Sequence, residues 1–593
     1  YQGLTFYSPN INIFRDPRWG RGHETFGEDP FLTGKLGTAF VRAMQGSDPK
    51  YFKTITTAKH FAVHSGPEPV RHAFNAEPSK RDLWETYLPA FKMLAQEGKV
   101  YSFMCAYNRL YGEPCCSDAF LMNTILRKKW GFKGFVATDC GAVYDFYMFH
   151  KTAKDSVEAV AQAIRAGADN QCYGYSSAVI PAIKRGLLKV SELDTAVARL
   201  LRAKFKLGMF DPADADPYSN IPYSVVNSEP HKAHALKMAR EAIVLLKNKG
   251  TLPLKATVKN IAVIGPNADD KEVLLGNYNG EPAHVTTPLE GIRNTFSQAN
   301  ITYAKGSNVI DTPGYDRIAD FAAALQAAEK ADVIVFVGGI SPRLEGEDLK
   351  VKVAGFNGGD KTDLNLPVVQ TDLLKELKKL GKPIVLVLLN GSALSINWEK
   401  ENIDAIVEAW YGGEAGGQAI ADVLAGIYNP AGRLPVTFYK SIDDIAAFDN
   451  YSMEGKTYRY VNKPVLYPFG YGLSFTKFAY SGLRTSANAI TKDNKSITVS
   501  FEVKNTGMYN GEEVVQLYIK QAGEAMPLKE LKGFQRIMLN RGESKTITLK
   551  LNRSDLMHYD SKADDLGVVP GNLTLMIGAS SVDIRLSKPI QLN

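Results

Sequence analysis

The stretch GFKGFVATDCGAV, residues 131–143, runs from apolar or small residues through Thr138 into a carboxylate, Asp139, followed by Cys140 and Gly141. A strand that ends in a carboxylate facing a Lys, an Arg and a His is expected to hold that group below its usual pKa, ionised as a nucleophile must be. Lys59 and His60, in TTAKHFAVHSG, are an adjacent pair able to donate hydrogen bonds to vicinal hydroxyls; a satisfied core histidine is the plainer reading of His60. NINIFRDPRWGRGHETFGEDP, residues 10–30, adds Arg21 in a Gly- and Pro-punctuated loop, where ion pairs Asp16–Arg18 and Glu24–Arg21 could equally serve to hold the loop. A second acidic group comes from GGISPRLEGEDLKVKVAGFNGGDKTDLNLP, a long aperiodic stretch with Glu345 and Glu347. A nucleophilic carboxylate about 5–5.5 Å from a protonated carboxyl group is the pair a retaining glycosidase uses. The competing reading of the loop is a solvated acidic surface.

These residues need strands to carry them. From residue 1 to about 210, short apolar runs (TITTAKHFAV, VYSFMCAYN, GFVATD) alternate with helical stretches (DLWETYLPAFKMLAQEG, FLMNTILRKKWG, SVEAVAQAIRAG), which predicts a parallel α/β domain. Lys59, His60, Tyr107, Asn108 and Asp139 all fall at strand ends, where such domains collect their chemistry. A complete (β/α)8 barrel takes about 250 residues. The domain therefore reads as a TIM-like barrel short of a βα unit or two at its N-terminus. The Pro- and Asp-rich residues 212–235 read as a linker. Residues 236–450 read as a second α/β domain, whose strands NIAVIGPN, DVIVFVGGI, PIVLVLLNG and AIVEAWYGG are apolar nearly throughout, as buried parallel strands are. Residues 451–475 read as a further linker, and 476–593, with the alternating runs ITVSFEVKNTG and KTITLKLNRSDL, as an antiparallel sandwich.

Composition narrows the class. The 593 residues are 45% hydrophobic and 22% charged, which suits a globular chain of roughly two to four domains. A net charge of +7 spread over that length gives no support for nucleic-acid binding, and no run approaches the roughly 18 apolar residues of a membrane span. Five cysteines allow one or two disulfides, the odd count argues against a fully oxidised framework, and an exported protein is weakly favoured. No cluster has metal-ligand spacing, and the glycine motifs of dinucleotide and ATP binding and of serine hydrolases are absent. No metal or cofactor is expected.

Taken together, RDPRWGRGHETFGEDP, KHF, AYNRLYGEPCC, WGFKGFVATDCGAV, IAVIGPNAD, GGEAGGQAIADVLAGIYNPAGRLPVTF, YPFGYGLSFT and MPLKELKGFQRI, in that order, resemble glycoside hydrolase family 3 over essentially the whole chain. The resemblance implies a TIM-like barrel, an α/β sandwich and a fibronectin-III-like β-sandwich, with the active site between the first two. It implies a retaining exo-β-glycosidase that releases terminal xylose or glucose from oligosaccharides, with a lean to xylose. The alternatives are a β-glucosidase proper and a non-catalytic carbohydrate-binding member. Carried over, Asp139 is the nucleophile and Glu345 the acid/base, with Glu347 the alternative. Arg21, Lys59, His60, Tyr107, Met104 and Cys140 become substrate-binding positions. Cys140 stands where many exo-glucanases of the family have Trp, and the xylosidase-like members imply a Cys140–Cys172 disulfide that narrows the pocket where glucose would put its hydroxymethyl group. Family members also carry, ahead of the segment matched by this chain, the first barrel strands and a further sugar-gripping carboxylate. If the chain is the whole polypeptide, low stability and low activity are expected. The oligomeric state stays open, a dimer included.

Overall fold

The structure, a computed structural model, describes residues 3–173, 176–523 and 525–593. In the first domain, strands Thr5–Phe6, Ile55–Phe61, Ser102–Cys105 and Phe135–Thr138 pair side by side in that order, all parallel. Every residue of the last three is buried, as expected of strands covered on both faces. Single-residue parallel bridges, Asn10 to Lys59 and Ala137 to Asn170, extend the array. The described sheet thus has four strands, further from eight than the sequence suggested. Beyond Asn170 the chain turns to helices, Ser176–Lys184 and Val190–Lys206, with no strand between them.

The helices follow from local chemistry. Asp29 caps Pro30–Gln45 by accepting from the Leu32 amide at 2.7 Å, with Pro30 at the first helical position, where its missing N–H is no loss. Asp155 caps Ser156–Ala166 in the same way, and Gly167, with φ 111°, ends it.

The second domain is a six-stranded sheet in the order Asn300–Ala304, Asn260–Ile264, Val333–Gly339, Ile384–Leu389, Ala405–Glu408, Val244–Asn248. Only the last pairing is antiparallel. Alternation along each apolar strand supplies two cores at once. Ala262, Ile264, Ile334 and Phe336 pack with Leu373, Leu374 and Leu377 on one face, while Ile261, Val263, Val333 and Val335 pack with Leu289, Ile292 and Ile420 on the other. The third domain packs a three-stranded sheet against a five-stranded one around Ile497, Val499, Phe501, Leu517 and Leu575.

The stretch read as a second linker is a buried strap. Tyr451 donates to the Gly66 carbonyl at 2.5 Å and lies 3.9 Å beneath the Arg15 guanidinium, whereas Arg459 reaches Thr86 in the first domain at 2.8 Å and Glu530 in the third at 3.0 Å. Residues 212–235 likewise run into a helix, Glu229–Ala242.

Candidate active site

Asp139 follows the strand Phe135–Thr138, and its own amide donates to the Cys105 carbonyl on the neighbouring strand at 3.1 Å. Its Oδ1 accepts from the Cys140 amide at 2.8 Å, but its buried Oδ2 has no hydrogen-bond partner. One oxygen is anchored and the other is free. Gly141, at φ 88°, opens the next helix, Ala142–Met148; a Cβ there would meet nothing within 4 Å, so glycine is needed for its backbone angle alone.

The expectation of a depressed Asp139 pKa is overturned. Burial pushes the carboxyl above its usual value, and the opposing charges of Arg21 and Lys59 with the Cys140 amide do not reverse it. The surrounding cations therefore serve to keep a buried anion tolerable. His60 does not add to them. Its Nδ1 and its backbone amide both face Asn12 Oδ1, at 2.9 and 2.8 Å, so the ring proton sits on Nδ1 and Nε2 accepts from Arg21 Nη2 at 3.1 Å. Burial, then Arg21 and His64, hold its pKa well below the usual histidine range. The 3.5 Å approach of Nε2 to Asp139 Oδ2 is thus a neutral ring beside a carboxylate and not an ion pair. In this arrangement Nε2 is an acceptor, where the sequence suggested a donor.

Arg21 is the hub. It is fully buried, grips Glu24 with two bonds at 2.9 and 3.0 Å, meets His60, and extends Nη1 to 3.3 Å from Glu347 Oε1. Burial alone would lower its pKa, but Glu24, Glu347 and Glu68 raise it well above the ordinary value. Glu24, pushed up by burial, is pulled down to about 2 by Arg21, with Lys59 and His23 contributing. Asn10 and Asn277 complete its shell at 3.1 and 2.9 Å. The ion pairs Asp16–Arg18 and Glu24–Arg21 considered from sequence are both formed. Lys59 sits 4.3 Å above the Tyr278 ring, and burial lowers its pKa. Tyr107 donates to the Cys140 carbonyl at 2.8 Å, and burial beside Asp139 raises its hydroxyl pKa. Met104 is buried in the strand Ser102–Cys105. Cys140 is bonded to Cys172. A second disulfide, Cys105–Cys116, was not foreseen as a pair, and Cys115 is left as a buried thiol pushed up to about 12 by desolvation.

The acidic loop of the second domain is ordered and docked on the first. Three short strands, Lys352–Val353, Phe356–Asn357 and Asp360–Lys361, fold it on itself. Asp360 then accepts from the amides of Gly20 at 2.9 Å and Glu68 at 2.7 Å. The contact is so close that a Cβ on Gly20 would lie 1.8 Å from the Gly359 carbonyl oxygen. Within this loop the two glutamates part company. Glu345 is completely buried, accepts from the Gly391 amide (2.6 Å), the Tyr411 hydroxyl (2.6 Å) and the Ser392 hydroxyl (2.5 Å), and is thereby bound into its own domain. Glu347 faces the first domain: Arg71 Nη1 lies 2.6 Å from Oε1, Arg21 shares that oxygen, and the Tyr278 hydroxyl donates to Oε2. Arg71, Tyr278 and Asp360 were not singled out from sequence; GPEPVRHAF, which starts six residues after His60, and GNYNG were the available signals. Among the described residues no group of three or more His, Cys, Asp or Glu could hold a metal ion.

A partial parallel barrel, an α/β sandwich and a β-sandwich, with opposed carboxylates at the first junction, define a glycosidase of the three-domain type. Residues 3–203 match the glycosyl hydrolase family 3 N-terminal domain, 243–475 its C-terminal domain and 513–581 a fibronectin type III-like domain. The chain is 37% identical to a xylan 1,4-beta-xylosidase of Xylanibacter ruminicola, covering 99% of this chain and 84% of that protein. It is 36% identical to a periplasmic beta-glucosidase of Salmonella typhimurium, covering 98% and 79%. Among solved structures, an exo-beta-xylosidase, XlnD, in complex with a xylobiose aziridine probe superposes with a TM-score of 0.91 at 32% identity, covering all of this chain and 79% of the other. The chain belongs to glycoside hydrolase family 3 and is a retaining exo-acting glycoside hydrolase.

Proposed function

We propose that this chain is an exported exo-β-xylosidase in which Asp139 is the nucleophile and Glu347, not Glu345, is the acid/base. The observation that carries the assignment is the pair of orientations around Arg21: the unpartnered Asp139 Oδ2 on one side and the Glu347 carboxyl on the other. Glu345 has three donors inside its own domain, with the first domain approaching it through the buried His23, which fits a structural anchor.

In the first step Asp139 Oδ2 attacks the anomeric carbon while protonated Glu347 gives its proton to the departing glycosidic oxygen, leaving a xylosyl ester on Asp139. Glu347, now a carboxylate, takes a proton from water, which attacks the same carbon and frees Asp139. Lys59, Arg21 and His60 would meet the sugar hydroxyls. Esterification also removes a buried charge, so the cations that offset desolvation of Asp139 in the free enzyme are released to the hydroxyls as the ester forms.

Xylose is favoured over glucose by the Cys140–Cys172 bond at the residue after the nucleophile, where a hydroxymethyl group would need room, and by the xylosidases among the relatives. The likeness to a periplasmic beta-glucosidase supports glucose as the second reading. Two disulfides and that periplasmic relative support export. No helix among the described residues is long and apolar enough to cross a membrane.

The test is a 2,4-dinitrophenyl 2-deoxy-2-fluoro-β-xyloside. Time-dependent inactivation with the added mass on the peptide bearing Asp139 is expected. A label on another carboxylate, or no inactivation, would contradict the assignment. The 4-nitrophenyl xyloside and glucoside, run side by side, decide the sugar.

A further inference from the structure

The helix that follows the nucleophile, Ala142–Met148, and the residue after it carry aromatic rings that the bond-breaking steps do not use. Phe149, at the C-terminal end, is 50% exposed. Single exposed apolar residues are ordinary, but these rings touch one another. Tyr144 packs edge-on against Tyr147 and Phe149, with centroids 5.2 and 6.2 Å apart, and Phe149 stacks on the His72 ring at 5.9 Å with 29° between the planes. His72 in turn meets Tyr107 edge-on at 4.5 Å. The row is anchored at both ends of Phe149's surroundings. His150 is buried, and its Nε2 donates to the Tyr107 carbonyl at 2.8 Å, which pins the end of the helix to the loop where Tyr107 bonds Cys140. Burial lowers the His150 pKa to about 4, so that ring stays neutral near pH 7. His72 Nδ1 lies 2.9 Å from Asp145 Oδ2 on the same helix. A fixed row of rings therefore climbs from the buried Tyr107, beside the nucleophile, to the half-exposed Phe149. His72 follows Arg71, which meets Glu347 Oε1 at 2.6 Å, so the row leaves the pocket on the side of Glu347.

Resting on the reading of this chain as an exo-β-xylosidase with Glu347 as acid/base, we propose that Phe149 and Tyr144 form a platform for the xylosyl unit beyond the leaving sugar, which makes the preferred substrate a xylo-oligosaccharide from xylotriose upward. The acid marks the side on which the leaving sugar stands, and the oligosaccharide continues outward from there. A pyranose offers apolar C–H faces inside a rim of hydroxyls. An exposed ring that is already immobile covers such a face at little entropic cost, and the Tyr107 and Asp145 contacts of His150 and His72 supply that immobility. Xylosyl units, which lack the hydroxymethyl group, lie flatter on such a ring than glucosyl units, in keeping with the room left beside Cys140–Cys172.

Chain length is the readout. In the wild type, kcat/KM should rise about tenfold from xylobiose, which ends at the leaving sugar, to xylotriose, which reaches the platform; that is the scale of one aromatic contact. Phe149→Ala should bring the xylotriose-to-xylobiose ratio down to about one, and Tyr144→Ala should lower it about threefold. The ratio is taken within one protein, so a partly misfolded preparation cancels from it, and Tyr144→Ala reports even if Phe149→Ala does not fold. A wild-type ratio near one, or a ratio that both variants leave unchanged, would overturn the proposal. Two controls keep its failure apart from failure of the reading beneath it. If the wild type cleaves cellobiose and neither xylobiose nor 2,4-dinitrophenyl β-xyloside, the sugar reading has failed, and the platform is judged by the same ratio on cellotriose and cellobiose. If Glu347→Gln loses no more on xylobiose than on the dinitrophenyl xyloside, whose leaving group departs unprotonated, the acid/base reading has failed, whereas the chain-length ratio still decides the platform.

Discussion

The barrel wall and the docked loop of the second domain each contribute one carboxylate, and they hold it by different means. Asp139 is fixed by its place in the chain, at the end of a buried strand, anchored through Cys140 and Cys105. Glu347 has no such strand. It is fixed by ties across the domain junction, to Arg71 and Arg21 and through Asp360 to the backbone of Gly20 and Glu68. A nucleophile that must meet one carbon gains from a rigid strand end; an acid that follows leaving groups of different shape can be set by side chains. The barrel wall is thus robust to changes in the loop, while the loop depends on the wall.

Substitutions on the two sides should show this asymmetry. Asp139→Ala should lower kcat by about 10⁴-fold or more, the scale of losing a catalytic nucleophile. Its melting temperature should hold or rise, because a desolvated carboxylate with one unpartnered oxygen is removed; a clear fall would mean that Asp139 anchors the wall. Glu24 tests the wall through pH. Its folded pKa of about 2 lies below the ordinary 4.5, so its contribution is fully present above about pH 4.5 and is lost as pH falls toward 2. The stability gap between wild type and Glu24→Gln should be on the order of 3 kcal/mol at most near neutrality and should close over that window, as followed by urea melts.

On the loop side, Asp360→Ala leaves the buried Gly20 and Glu68 amides without an acceptor. Activity should fall by roughly 10- to 100-fold as the loop loosens, and the xylobiose rate should suffer more than that of the dinitrophenyl substrate. The smallest effect is expected at Tyr278→Phe, which removes one hydrogen bond to Glu347 and should lower kcat/KM about fivefold, near 1 kcal/mol. A Tyr278 effect larger than that of Asp360 would reverse the ranking of supports.

The same asymmetry decided what could be read from sequence. Strands such as Val333–Gly339 and Ile384–Leu389 announce themselves by unbroken apolar runs, and the shorter first-domain strands Ile55–Phe61 and Phe135–Thr138, legible through their alternation with helical stretches, locate Lys59, His60 and Asp139. The choice between Glu345 and Glu347 could not be made this way, because residues two apart in a loop carry no periodicity to assign their faces. It depends on the Gly391, Ser392 and Tyr411 donors on one side and on Arg71 on the other, all distant in sequence. The direction of the Asp139 shift escaped for a similar reason: neighbouring cations are visible in the sequence, but complete desolvation is a property of the packed junction. Tyr451 and Arg459 looked like linker residues because their partners, Gly66, Thr86 and Glu530, lie in other domains.

The division of labour within the loop is tested most directly by azide rescue of Glu345→Gln and Glu347→Gln on 2,4-dinitrophenyl β-xyloside. Once the ester on Asp139 has formed, azide can replace water without a general base only where the acid/base has been lost. The account predicts that azide accelerates turnover of Glu347→Gln and yields the β-xylosyl azide, while Glu345→Gln is unresponsive and shows a lowered melting temperature. Rescue of Glu345→Gln, with Glu347→Gln indifferent to azide, would contradict it.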